Sequence, residues 1–372
     1  MILLLELARG LAALWVFFYH VKPLFETSSP FIYNLSSFGS LGVPMFFVIS
    51  GYVITYSAES SLKNTKSSFV FLKARFLRIY PAFWASVAVV LITPYIIESI
   101  SFIKTGTYLF PENLLVKFNA IEWTNFVLLS KVFWATSHDL QTEFNTINSV
   151  YWTLAIEFQF YLVVFVALCF KQYYRHIIIL VSVASFLAMF ISDELNYGLF
   201  IHYWPSFSVG IILAYLHRNK VWSNSFLTNN TALLTAVLAA TGLLLSSVAY
   251  SHHRILFAVS FGIFLWVISD IEKVMNRIKN SANKYFFWIL EPWLILGTMS
   301  YSVYLLHGKI YALPNMFIRQ LFDSSNILYG LLTILCTLLL CYPFYIFVEK
   351  KFLSKNYKLL QQKVLTKTSP SK

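Results

Sequence analysis

The 372-residue chain is 58% hydrophobic and only 12% charged, whereas soluble domains carry about one-quarter charged residues, which excludes an ordinary soluble domain. Aromatic residues reach 19%, a fraction that suits rings meeting lipid and headgroups. A net charge of +12 would suit nucleic acid if it formed one patch, but here it is spread between apolar segments, in the manner of membrane topology.

The first segment, MILLLELARGLAALWVFFYH, carries Glu6, Arg9 and His20. A secretory signal puts its basic residue ahead of the apolar run. Arg9 lies inside the run, so residues 2–24 are expected to be a retained span. With about 20 apolar residues needed to cross a bilayer, nine more spans are predicted at 39–57, 80–99, 149–169, 177–192, 197–216, 231–249, 254–270, 289–312 and 327–348. The fold class is therefore an all-α integral membrane protein of about ten helices. Cys169, Cys336 and Cys341 all lie in apolar runs without metal or disulfide spacing, and are expected to be buried structural thiols.

The connections alternate in charge. Five of them (KNTKSSFVFLKARFLR, KQYYRH, HRNK, DIEKVMNRIKNSANK and the segment from Glu349 onward) hold 20 of the 28 Lys and Arg residues, and seven lie on the other side. By the positive-inside bias both termini are expected to be cytoplasmic. Residues 1–352 form the predicted transmembrane domain and 353–372 a basic cytoplasmic tail, whose charge would attract anionic lipid. Residues 100–148 make one long outer segment with no arginine, read as an interfacial or re-entrant cap or as a cover over an acceptor site.

Charges inside spans are costly and tend to face a bundle interior or a wet cavity. Arg9 and His20 are eleven residues apart, which places them on nearly one helical face about 16 Å apart along the axis. Glu6, three residues before Arg9, can pair with it. Arg9 alone also fits a snorkelling arginine, and His20 alone a histidine bonded to a neighbouring helix. GSLGVPMFFVISGY (39–52) supplies small residues for close helix approach. Arg75 and Arg78 share a face just before Pro81, as a topological anchor or a phosphate clamp. Glu157 lies in mid-span with no Lys or Arg within ten residues, so it must find a partner or be protonated; its depth is compatible with His20. His202 reads as structural, and His307 as either structural or part of an outer site.

These elements in order resemble the family-3 membrane acyltransferases. RGLAALWVFFYH has that family's arginine and histidine separated by ten residues; GVPMFFVISGY resembles its second span, with Pro44 where aspartate is usual; RFLRIYP resembles its arginine-rich element. WTLAIEFQFYL resembles its WSLAVEEQFYL-like element, with Phe158 in place of the second acid. LGTMSYSVYLLH and IFVEKKF resemble the closing elements. The resemblance runs from about residue 4 to 352. It implies O-acyl transfer, usually of acetyl, from cytoplasmic acyl-CoA to a hydroxyl of an extracytoplasmic polysaccharide or lipid-linked saccharide, in a bacterial inner membrane. Some relatives carry an esterase-like domain after the spans, and this chain is expected to act without one. On this reading acetyl-CoA is the donor, and no metal and no nucleic acid take part. Arg9, Arg75 and Arg78 would bind the CoA phosphates. His20 would be general base or acyl carrier, oriented by Glu157. Tyr151, Trp152, Tyr301 and His307 would shape the acceptor pocket. The rival reading is a multispan saccharide transporter or flippase, whose buried charges would form a relay; against it, no second copy of the first or fourth element occurs in the carboxy-terminal half.

Overall fold

An apolar segment in lipid must satisfy its backbone polar groups within itself, so helix is the expected form. Every regular element among the described residues is helical. The computed structural model describes residues 2–64, 67–130, 142–189, 198–219, 230–249, 254–270, 272 and 284–353. The main helices are α1 (Ile2–His20), α2 (Gly42–Lys63), α3 (Ser68–Thr105), α4 (Trp152–Cys169), α5 (Tyr174–Ala188), α6 (Trp204–Arg218), α7 (Asn230–Ala249), α8 (Arg254–Val267), α9 (Lys284–Thr298), α10 (Ser300–Ile310) and α11 (Ile327–Phe344). Most of the basic tail and the SDELNYG connection lie outside the described residues.

Among the described residues, five stretches are long and apolar enough to cross a membrane: Leu3–His20, Pro30–Lys63, Ser68–Thr105, Glu143–Cys169 and Ile327–Phe352. Thr235–Val248 and Arg254–Val267 are apolar but shorter. Two expected boundaries change. The segment 289–312 is not one helix but two, divided at Met299. The helix predicted at 80–99 runs instead over Ser68–Thr105. At 38 residues it is roughly 57 Å long, well beyond the hydrocarbon thickness. Ser67 caps its start by accepting from Phe69 N–H, and Gly106, at φ 71°, ends it in the left-handed conformation that glycine tolerates. Pro81 and Pro94 lie inside it. RFLRIYP is therefore part of the rod, and Arg75 and Arg78 project from a rigid surface.

α1 packs against α2, α9 and α10. Glycine allows two of the closest crossings. A Cβ on Gly10 of α1 would lie 2.9 Å from Gly297 N of α9, and one on Gly210 of α6 would lie 2.7 Å from Tyr52 N of α2. Within the segment 100–148, Ala120–Val127 starts with a capping box between Asn119 and Glu122 and packs on α3. There Tyr80 OH donates to Leu128 O at 2.8 Å, and Trp84 Nε1 donates to Val127 O at 3.0 Å. The helix Ala120–Val127 thus lies alongside α3, bonded to residues more than 20 positions before its end at Thr105. Residues 131–141 lie outside the described set. Of the three thiols expected to be buried, only Cys341 is; Cys336 is partly exposed and Cys169 exposed. In a membrane protein an apolar run can face outward as readily as inward, so its composition does not establish burial.

Candidate active site

α1, α2, α3, α4 and α10 surround a cavity of about 100 Å³ whose wall carries Arg9, Arg75, Arg78 and Glu157. Helical spacing accounts for one pairing: Arg9 Nη1 lies 3.3 Å from Glu6 Oε1, three residues earlier. Arg78 Nη1 is 2.7 Å from Glu349 Oε1 and its guanidinium lies over the Tyr301 ring at 4.9 Å. Arg75 is half-buried, and its Nη2 donates to Ser57 Oγ at 2.8 Å. Its guanidinium stands over Phe71 and Tyr161, at 5.5 and 5.8 Å. Arg75 Nε has no hydrogen-bond partner in the protein. A buried donor without an acceptor is costly, and an anion entering the cavity would supply one.

Glu157 is held by hydroxyls. Its Oε1 accepts from Ser50 Oγ at 2.8 Å and from Tyr161 OH, one turn along α4. It also interacts electrostatically with Arg75. This corrects the expected pairing of Glu157 with His20. Span depth is readable from sequence, but the direction in which a helix presents its side chains to its neighbours is not. α4 turns Glu157 toward α2 and α3.

The ring beside His20 belongs to His307, with centroids 5.1 Å apart. His307 is fully buried, and its Nδ1 lies 2.9 Å from Val303 O. A carbonyl can only accept, so Nδ1 carries the proton. His307 Nε2 is then left with no partner in the protein. Tyr304 ties this pair to the cavity. Its ring is 5.9 Å from His307, its hydroxyl is 2.6 Å from Thr153 Oγ1, and both Tyr304 and Thr153 line the cavity. A row of rings, Tyr304 to His307 to His20, thus leads from the arginines to the carboxy-terminal end of α1.

The expected acceptor residues separate into distinct places. Tyr301 lines the cavity and donates to Ile79 O at 3.0 Å, and His307 joins His20. Tyr151 is fully buried, bonded to Ser86 at 2.9 Å and packed against Phe83; it is a core residue and does not line the cavity. Trp152 packs on Tyr203 with centroids 5.3 Å apart. His202 and Tyr203 line a second cavity of about 200 Å³, with Arg254. Sequence reading missed Ser50, Tyr161 and Glu349. Glu349 had a signal, as a lone acid closing an apolar helix, but the lysines after it made it read only as the start of a basic segment.

The model of the Acyl_transf_3 family, an acyltransferase domain, matches residues 2–346. A curated relative, "Protein 2 in picA locus" from Rhizobium radiobacter, is 33% identical over 87 residues. That match covers 23% of this chain and 42% of the relative, so the chain spans less than half the length of the relative it matches. No solved structure matches. With the family model covering nearly the whole chain, and every regular element among the described residues helical, this protein belongs to membrane acyltransferase family 3.

Proposed function

We propose that the protein is a ten-span enzyme of a bacterial cytoplasmic membrane, with both termini cytoplasmic, that moves an acyl group from acyl-CoA to a saccharide hydroxyl. The acyl group is acetyl foremost, and the acceptor is an extracytoplasmic polysaccharide or a lipid-linked saccharide. The observation that carries this reading is the arginine cavity joined by Tyr304 to a histidine pair. Guanidiniums match phosphate oxygens in charge and fork geometry, and the partnerless Arg75 Nε fits an entering anion. Acetyl-CoA supplies the activated thioester. In the transfer, His20 takes the proton from the acceptor hydroxyl as its oxygen attacks the thioester carbonyl. The C–S bond then breaks and His20 returns the proton to the leaving thiolate. His307 Nε2 offers an acceptor that orients the His20 ring, the role expected of Glu157. Glu157 instead balances the cations of the donor site, and Tyr301 and Tyr304 line the path between.

The test uses membrane vesicles, acetyl-labelled acetyl-CoA and saccharide acceptors isolated from the cell envelope. Label should reach the saccharide only when acetyl-CoA has access to the cytoplasmic face. Saccharide that crosses without gaining label would support a transporter instead. His20→Ala should lower transfer by roughly 100-fold or more while the protein stays in the membrane. A normal rate in that variant would remove His20 from the chemistry.

A further inference from the structure

The last apolar helix ends in an unusual way. α11 contains Pro343, and residues Tyr345–Glu349 that follow form a π-helical turn. Such turns are rare and often mark functional positions, because the extra residue per turn rotates what comes next. Here it delivers Glu349 to a buried position, 2% exposed. Its two oxygens do different work. Oε1 takes Arg78 Nη1 at 2.7 Å, while Oε2 accepts from Ser302 Oγ at 2.6 Å and Ser302 N–H at 3.1 Å. Ser302 lies in the first turn of α10, where backbone N–H groups have no partner within the helix. One carboxylate from α11 therefore fixes a cavity arginine on α3 and caps the helix carrying Tyr301, Tyr304 and His307.

We propose that Glu349 is a positioning residue for the transfer. It aims Arg78 across Tyr301 into the cavity and holds α10 in register with it. The proposal rests on the reading of Arg78 as a contact for the donor's phosphates. Two opposed effects follow from removing the carboxylate: Arg78 loses its aim, and it loses an anion that competes for it. Burial favours the first, since a guanidinium that loses its charge-assisted bond is held less firmly toward the cavity, and those bonds are about twice as strong as neutral ones.

The experiment measures steady-state transfer by full-length protein in membranes, with acetyl-CoA and saccharide varied separately, for Glu349→Gln, Ser302→Ala and Arg78→Ala. Glu349→Gln keeps an acceptor for Ser302 and should raise the KM for acetyl-CoA about tenfold, with kcat and saccharide KM within about twofold. Ser302→Ala removes a bond to the same carboxylate but spares the Arg78 pair, so donor KM should stay within about threefold. Unchanged or lowered donor KM in Glu349→Gln, or an equal rise in Ser302→Ala, overturns the positioning role. Arg78→Ala separates the two ideas. If it leaves donor KM unchanged, the phosphate reading fails; if it raises donor KM and Glu349→Gln does not, only the positioning proposal fails.

Discussion

Glu157 shows what a single carboxylate does inside a span. Its Oε1 gathers Ser50 and Tyr161 on one side of the arginine cavity. Glu157→Ala leaves both hydroxyls without their acceptor, which costs about 1–3 kcal/mol for each buried group left unsatisfied. A lower melting temperature in detergent should result. Glu157→Gln keeps the shape and one acceptor but removes the negative charge beside Arg75. That variant should fold near normally and transfer acyl groups at least tenfold more slowly, an effect of the size lost with one charge-assisted contact. Melting curves and initial rates on the same preparation check both statements; equal loss of stability in the two variants would refute the charge argument. At this scale the sequence reveals which residues matter better than which residues meet. Arg9, Arg75, Arg78 and Glu157 stand out because a charge in an apolar helix needs a reason. Glu6 and Tyr161 are same-helix partners that spacing allows, but Ser50, Ser57, Tyr301 and Glu349 come from other elements, and no spacing within one segment encodes the direction in which two helices face. His307, in a histidine pair with His20, and Tyr151, absorbed into the core, are two outcomes of that same missing information.

Among the elements, α2 and α6 form one of the most intimate pairs, because Gly51 and Gly210 leave room for backbone against backbone. A Cβ on Gly51 would collide with Phe207 O, and one on Gly210 with Val48 O. Gly210→Ala forces the helices apart or strains them, and overpacking of this kind costs about 1–3 kcal/mol. α2 carries Ser50, the bonding partner of Glu157, so the shift should also reduce activity. Gly242→Ala is the control, since a Cβ there meets nothing within 4 Å. Detergent melting of the two variants should show a loss only for Gly210→Ala. The need for close approach was legible in the small residues of GSLGVPMFFVISGY, and most helix positions were legible in the apolar runs. The break at Met299 was not, because LILGTMSYSVYLLHG has no proline at the division and reads as one continuous apolar stretch.

For the molecule as a whole, the placement of charge matters more than its amount. The net +12 lies largely in the connections, whereas the cavity sets Arg9, Arg75 and Arg78 against Glu157, Glu6 and Glu349 within the bundle. Lys and Arg positions alone place Arg75 and Arg78 in a basic connection, but the structure sets them in a helix that lines the cavity. The division between α9 and α10 adds a contribution that no residue count includes. Ser300 and Tyr301, at the amino-terminal end of α10, lie in the cavity wall. A helix start there brings about half a positive charge from its aligned peptide dipoles. Glu349 accepts from Ser302 N–H at that end, so the helix start helps to hold this carboxylate, and the field left in the cavity comes from arginines set within the bundle. Mobile counterions screen exposed charges over about 10 Å at 0.1 M salt, but screen buried ones much less. Donor affinity should accordingly change less than about threefold between 0.05 and 0.5 M sodium chloride, where a surface phosphate site would weaken far more. Acetyl-CoA titrations across that range give the comparison, and a steep salt dependence would mean that the anion is held outside the bundle. On the proposed reading of acyl-CoA as donor, arginines buried in the bundle make its recognition insensitive to the ionic strength around the protein.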